Sequence, residues 1–191
     1  MSETMTVAGG IRKLWSTETD RFRDHLLRLD KSSRRMRFAH AVSDSFIEDY
    51  AARVGDMGSV VYVYVENEQV RAAAELRKLG DVWGNEAEAA FSVEATHQDR
   101  GIGSDLMGKV IRSARNRGVQ RLYMSCLPEN RRMQAIARKY DAVLTFELGD
   151  VVGEIVPVGG NYFDMLAEAV DDRVSFALAV LDLQGRLTRA A

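Results

Sequence analysis

A single cysteine, Cys126, stands among 191 residues, so no disulfide can close within the chain and no cysteine-rich metal site can form. A reducing compartment is expected. Histidine is nearly as scarce: His25 and His40 fall in the leading helical stretches and His97 in a turn, where a solvated role is expected, and no metal constellation is visible. No apolar run reaches the roughly 18 residues of a membrane span, and Met1-Ser2-Glu3-Thr4 lacks a basic region followed by an apolar one. Neither a membrane segment nor a secretory leader is therefore expected, and a cytoplasmic location follows by elimination. Charge of one sign is missing as well. The 26 basic residues against 28 acidic ones leave a net −2, without the basic footprint of a nucleic-acid partner. Internal repeats, heptad arrays and low-complexity tracts are absent.

What is present is a chain 46% hydrophobic, long enough for one domain that buries about 70% of its unfolded surface. The first eight or so residues are small and polar, and residues 1–10 read as a disordered tail. Ile11 to Trp15 fits a short edge strand. Thr17 or Thr19 can cap a helix over Asp20–Leu29, whose Phe22, Leu26 and Leu29 form one apolar face. Ser32-Ser33 can cap a second helix, and Ser43 or Asp44 a third with Phe46, Ile47 and Tyr50 inward. The basic cluster Arg34, Arg35 and Arg37 could face solvent or an acidic acceptor.

Val60–Val65 is β-branched and aromatic and reads as a strand. A turn at 66–69 returns the chain through Val70–Leu79, with Val70, Ala72, Ala74 and Leu76 on one face. Glu86–Val93 makes a third antiparallel strand. The chain then turns through Gln98-Asp99-Arg100-Gly101-Ile102-Gly103-Ser104 into an amphipathic helix carrying Leu106, Met107, Val110 and Ile111 and ending at Gly118. Arg121–Cys126, reached through that helix, should lie parallel to Glu86–Val93. A helix opening at Pro128-Glu129-Asn130 follows, then a hairpin of Ala142–Glu147 and Val151–Val156. From Gly159-Gly160 onward, Phe163, Leu166, Ala167, Val170, Val174, Phe176, Ala177, Val180 and Leu181 keep helical spacing. That helix, about 160–185, could cover the sheet or form a homodimer seam, and packing within one chain is the reading favoured here.

Glycines at 101 and 103 between a strand and a helix suit a phosphate, because the helix turns unpaired N–H groups back into the turn. A dinucleotide fingerprint fails, since its third glycine would fall on Leu106, and no Gly-Lys-Ser/Thr follows as in a triphosphate loop. The remaining pattern, Gln/Arg-x-x-Gly-x-Gly/Ala after a strand, resembles the acyl-CoA-binding turn of the GNAT N-acetyltransferases. Asn130-Arg131-Arg132-Met133 with Ile136, Ala137 and Lys139 is similar to that family's next helix, and the likeness covers roughly residues 58–148. Ala87-Glu88-Ala89-Ala90-Phe91, with Phe22-x-x-His25-Leu26 and Arg34 to Phe38, resembles bacterial protein-lysine acetyltransferase domains.

The resemblance implies an α/β fold with a GNAT-like mixed, mostly antiparallel sheet flanked by helices, the C-terminal helix lying outside the usual core. It implies an enzyme that moves an acetyl group from acetyl-CoA to a primary amine, on a protein lysine or a small molecule, without a metal. Glu88 would be the base, with Glu86 or Glu75 able to substitute. Backbone of Arg100, Gly101, Ile102, Gly103 and Ser104 would hold the pyrophosphate. The main chain of Val93 and Ala95 would pair with the pantetheine arm, Gln98 and Arg100 would frame the phosphates, and Asn130 would contact the arm or simply cap its helix. Many members carry a tyrosine acid seven residues after this asparagine; here that position is Ala137, and Tyr140 is the nearest hydroxyl on that helix. A departing CoA thiolate, with a pKa near ~8.5, can leave without one. A module that senses acyl-CoA without turnover is the alternative.

Overall fold

The computed structural model describes residues 9–55, 58–157 and 162–190, and the side chains of all of these except 162–164 and 181–190. Of the tail expected over residues 1–10, residues 1–8 lie outside the described residues, as do Gly159-Gly160 and the side chains of Phe163 and Leu181, while Gly10 is not tail but opens the first strand opposite Val65. The strands are β1 (Gly10–Lys13), β2 (Val60–Glu66), β3 (Gln69–Lys78), β4 (Glu86–Val93), β5 (Arg121–Cys126), β6 (Val143–Glu147) and β7 (Asp150–Ile155). The helices are α1 (Thr19–Arg28), α2 (Lys31–Phe38), α3 (Asp44–Arg53), α4 (Ile102–Asn116), α5 (Arg131–Lys139) and α6 (Tyr162–Ala190). The strands form one sheet in the order β1-β2-β3-β4-β5-β7-β6.

Every pairing is antiparallel except β4 with β5. Because α4 carries the chain back between those two strands, they run parallel, as a crossover connection requires. Their pairing is brief: Glu86–Arg121, Ala87–Leu122 and Glu88–Tyr123 are the registered residues, after which β4 runs on to Val93 paired with β3 only and β5 runs on to Cys126 paired with β7 only. The sheet is thus split along half of its central seam.

Both faces of the sheet are covered. Leu106, Met107, Val110 and Ala114 of α4 pack on Ala72, Ala74, Leu76, Ala87 and Ala89, joined by Met133 and Ala137 of α5. On the other face Phe22, Leu26 and Leu29 of the α1 segment and Ile47 and Ala51 of α3 pack on Val61, Val63 and Ala73. Alanines along the middle of β3 let helices close in from both sides at once. A register shift at Tyr64/Val65 moves Val70 to the α1 face, away from Ala72 and Ala74, because one extra residue inverts the side-chain alternation.

Three further expectations are corrected. Asp30, not Ser32 or Ser33, caps α2 by accepting the N–H of Ser33 at 2.9 Å. Phe46 is not inward: it stays exposed at the rim, where it stacks beside Tyr50 and meets Phe38 edge-on. The C-terminal helix does pack within the chain, yet with its polar side inward. Glu168 takes hydrogen bonds from Ser113 (2.9 Å) and Arg117 (2.8 Å), Asp171 pairs with Lys109 (2.6 Å) and Asp172 with Lys13 (2.8 Å). Leu166, Val170 and Val174 are left exposed. Cations already standing along α4 and β1 select the acidic face of α6 over its apolar one.

Candidate functional site

Where β4 and β5 part, a cleft of about 790 Å³ opens through the sheet. Phe91, Ser92 and Val93 of β4 form one side, Ser33, Met36 and Arg37 of α2 stand over one face, and Asn130, Met133 and Ile136 at the start of α5 stand over the other. The turn from Gln98 to Ser104 closes the end. Glu94 donates its N–H to Arg71 of the neighbouring strand, so alternation turns the main chain of Val93 and Phe91 toward the split. Those groups are what an extended ligand would pair with.

The turn owes its shape to Gly101. Its φ of 82° is left-handed, the space where a Cβ would stand is open, and as the residue preceding α4 it supplies no capping side chain. The first bond within the helix runs from the N–H of Asp105 to the carbonyl of Gly101. The N–H groups of Ile102, Gly103 and Ser104 therefore have no acceptor within α4, and a 15-residue helix adds its dipole behind them. At Gly103 a Cβ would come within 3.0 Å of Ile136 Cδ1, so glycine permits the close approach of α4 to α5.

Of the residues singled out in the sequence, Val93, Ala95, Gln98, Gly101, Ile102, Gly103, Ser104 and Asn130 all line this cleft. Gln98 Nε2 donates to the Val93 carbonyl at 3.0 Å and to Ser33 Oγ at 3.3 Å, reaching across to α2. Asn130 Oδ1 accepts the N–H of Met133 at 3.1 Å and so caps α5. Arg100 departs from the expectation: its side chain turns away to Glu66 at 3.1 Å and does not line the cleft, leaving only its main chain at the turn.

Glu88 sits on the last rung that β4 shares with β5, opposite Tyr123, and is half-buried. Its carboxylate pairs with Arg77 at 3.0 Å. Glu86 shares that face, but Glu75 is no substitute base. Its two oxygens are taken by Arg37 and by the Tyr50 hydroxyl (2.5 Å), and it is 1% exposed. Burial and the Glu75 carboxylate push the Tyr50 phenol up to about 12. The arginine cluster is divided: Arg34 donates to the carbonyls of Leu27 and Leu29, Arg35 stays exposed and pairs with Glu129, and the Arg37 side chain is buried at the cleft wall.

Tyr140 is not brought to the cleft. Its hydroxyl donates to the Ser104 carbonyl at 2.8 Å from behind the α4 turn, and the ring lines a separate cavity of about 500 Å³ with Ile111, Val143 and Ile155. Ala137 is buried in the α4-side core. Cys126, at the end of β5, is buried, and that burial pushes its thiol up. His97, expected in solvent, is buried at the cleft with Nε2 on Glu66 at 2.8 Å and Nδ1 on Thr96 at 2.9 Å.

The sequence reading assigned His25 no chemical role and passed over Ser92 and Glu94, yet the three meet behind the cleft wall, which Ser92 lines. His25 Nε2 lies 2.9 Å from Ser92 Oγ, and His25 Nδ1 lies 3.2 Å from Glu94 Oε1. The signal was present in part. Ser92 and Glu94 are polar residues two apart in an alanine-rich strand, and His25 lies between Phe22 and Leu26 on the apolar face of α1. Burial raises the Glu94 carboxyl, but His25, Arg71 and Arg28 together outweigh it and hold the group at about 2. Among the described residues no metal-binding cluster is found, and no helix is long and apolar enough to cross a membrane.

Comparison with known proteins agrees with this architecture. The family model described as Acetyltransferase (GNAT) family matches residues 15–141. Acetyltransferase Pat of Mycolicibacterium smegmatis is 46% identical over 91 residues, which are 44% of this chain and 27% of that protein. The chain thus spans about a quarter of the length of that curated relative. The crystal structure of the GNAT domain of S. lividans PAT superposes with a TM-score of 0.66 at 22% identity, covering 76% of this chain and 89% of that one. The protein yncA of Salmonella typhimurium, solved with its cofactor acetyl-CoA, superposes with a TM-score of 0.57 at 19% identity over 79% of this chain and 95% of that one. At such identities these two likenesses speak for the fold.

Proposed function

The chain belongs to the GNAT acetyltransferase family, and from that premise we propose that it transfers an acetyl group from acetyl-CoA to a primary amine by direct attack on the thioester. The observation that carries this reading is the uncapped, left-handed turn at Gly101 at the end of a split sheet. It offers anion-binding N–H groups and an unpaired strand edge to one extended ligand. The N–H groups of Ile102, Gly103 and Ser104 hold the pyrophosphate, the main chain of Val93 and Ala95 pairs with the pantetheine arm, and Asn130 flanks it. Gln98 must release the Val93 carbonyl as the arm enters. Arg100 contributes through its backbone alone.

Glu88 takes the proton of the incoming ammonium, directly or through water, on the face of β4 turned toward α1–α3. Arg77, 3.0 Å away, holds that carboxylate in place on the strand. No tyrosine acid is assigned, because Tyr140 is engaged behind the turn, and the thiolate leaves as such. The acceptor is a protein lysine or a small amine. Residues 1–191 act as one such domain, cytoplasmic, with α6 as an addition to the core.

Calorimetric titration with acetyl-CoA, free CoA and NAD tests the site first. Micromolar binding of acetyl-CoA but not of NAD is expected. Glu88→Gln should abolish transfer to amines and lysine peptides while leaving affinity intact, whereas binding without transfer to any amine would favour a sensor. Absence of binding by both acetyl-CoA and CoA would overturn the reading.

A further inference from the structure

The amine transfer proposed above uses neither Ser92 nor His25, yet their arrangement is one that chemistry employs. Ser92 is buried in the strand but opens onto the cleft wall. His25 is wholly inside and is shared between Ser92 and Glu94. An ionised carboxylate only accepts, so Glu94 fixes the proton of His25 on Nδ1, and Nε2 is left to accept the hydroxyl proton of Ser92. Glu94 is itself fixed by Arg28 at 3.0 Å and Arg71 at 2.9 Å. A hydroxyl, an imidazole within hydrogen-bond reach and a carboxylate orienting that imidazole are the three parts of an activated nucleophile. The neighbouring N–H, that of Val93, points into the split, where it can meet a developing oxyanion. Burial also lowers the basicity of His25, which leaves the ring neutral before reaction.

We propose that Ser92, His25 and Glu94 form a nucleophilic relay, through which the protein hydrolyses acyl-CoA thioesters by way of an acyl-serine. The proposal rests on the reading that acyl-CoA occupies this cleft. Ser92 Oγ attacks the thioester carbonyl carbon as its proton passes to His25 Nε2, and the carbon–sulfur bond breaks with its electron pair leaving on sulfur. That thiolate takes the proton from Nε2 and departs as CoA thiol, leaving an ester on Oγ. Water, giving a proton to Nε2, attacks the ester; the carbon–Oγ bond breaks, the proton returns to Oγ, and the carboxylic acid released ionises. Thioester and water yield carboxylate, thiol and a proton. With an amine present the two routes compete for one thioester.

The full chain is treated with a fluorophosphonate probe, which needs no acyl-CoA, and the adduct is located by peptide mass spectrometry. Separately, release of CoA thiol from acetyl-CoA is followed without any amine. The expected results are an adduct on Ser92, none in Ser92→Ala, and thiol release reduced at least about 100-fold in Ser92→Ala with acetyl-CoA affinity kept. Ser92→Cys, which retains a nucleophile, should restore an acylated intermediate visible in the acid-quenched intact mass. His25→Gln can fail to fold, so the conclusion rests on the two serine variants, whose melting curves are recorded alongside. Labelling elsewhere than Ser92, with thiol release the same in Ser92→Ala as in the parent, would overturn the relay while acetyl-CoA binding stands. An adduct on Ser92 in a protein that does not bind acetyl-CoA would instead uphold the activated serine and overturn the acyl-CoA substrate.

Discussion

Replacing Arg37 by methionine should be among the most damaging single changes on the α1 face of the sheet. Arg37 and Glu75 form an ion pair whose side chains are 5% and 2% exposed, and the Tyr50 hydroxyl completes it with a bond from Arg37 at 2.8 Å and one to Glu75 at 2.5 Å. Arg37→Met leaves the carboxylate inside with only a phenol as partner, and breaking such a pair from one side costs about 3–5 kcal/mol. For a domain of this size each kcal/mol lowers the melting temperature by about 2–4 °C, so a loss of roughly 6–20 °C is expected. Glu75→Gln should cost less. The guanidinium it strands still lies over the rings of Phe38 (4.7 Å) and Tyr50 (5.4 Å), a contact that tolerates a cation. The double variant Arg37→Met/Glu75→Gln removes both charges, keeps an acceptor for Tyr50, and should be more stable than Arg37→Met alone by about 2 kcal/mol. Urea denaturation followed by tryptophan fluorescence, with the four proteins compared at unchanged slope, completes the cycle. A loss under about 1 kcal/mol for Arg37→Met, or a double variant no better than that single one, would refute the reasoning that the stranded charge is what destabilises.

Gly101→Ala should lower stability by about 1–2 kcal/mol through its left-handed φ alone, since nothing stands near the added methyl, and should weaken acetyl-CoA binding at least about tenfold; unchanged affinity by calorimetry would separate the turn from the site. Leu106→Ala, at a fully buried position of α4, should cost about 3–5 kcal/mol in urea, and a smaller loss would mean that α4 can settle into the gap. Stability should fall with acid in two stages. His25 is held below its ordinary value by burial, so the unfolded chain binds a proton that the fold refuses, and stability declines as pH drops below about 6.5. Glu94, held at about 2, contributes stability present above its unfolded value near 4.5 and lost as pH falls toward 2, on the order of 2 kcal/mol after allowance for screening. A urea midpoint flat from pH 7 to pH 3 would contradict both signs. Glu168→Gln weakens the tie of α6 to Arg117 and Asn116, and faster limited proteolysis of the C-terminal segment is expected; an unchanged cleavage rate would place the anchorage of α6 elsewhere.

The order of strands and helices could be read from the chain because local rules govern it: β-branched runs, the αL stop at Gly118, and the periodicity of α4. The parallel seam followed from the helix that joins its two strands. What could not be read depended on partners distant in sequence. Val70 changed faces because of a shift in register with β2, which no pattern within β3 reports. The apolar stripe of α6 implied an apolar contact, but Lys13, Lys109 and Arg117 on other elements decided which face turned inward. The glycine turn was legible since its chemistry is backbone chemistry, set by Gly101 itself. The meeting of His25 with Ser92 and Glu94 was hidden, because it joins positions more than sixty residues apart and needs α1 docked on the sheet.

The short seam between β4 and β5 bears on how the protein behaves as a mechanical object. Three rungs join a four-stranded half, β1 to β4, to a three-stranded half, β5 to β7, so β-sheet continuity is thinnest at the functional cleft. A molecule lying along the free edge of β4 would serve as a missing length of strand. It would stiffen the hinge between the halves, and by linkage raise the stability of the whole by the free energy of its own binding. Amide hydrogen exchange in Arg121–Cys126 and Val93, slowed by a ligand that touches only one side, would register that stiffening directly.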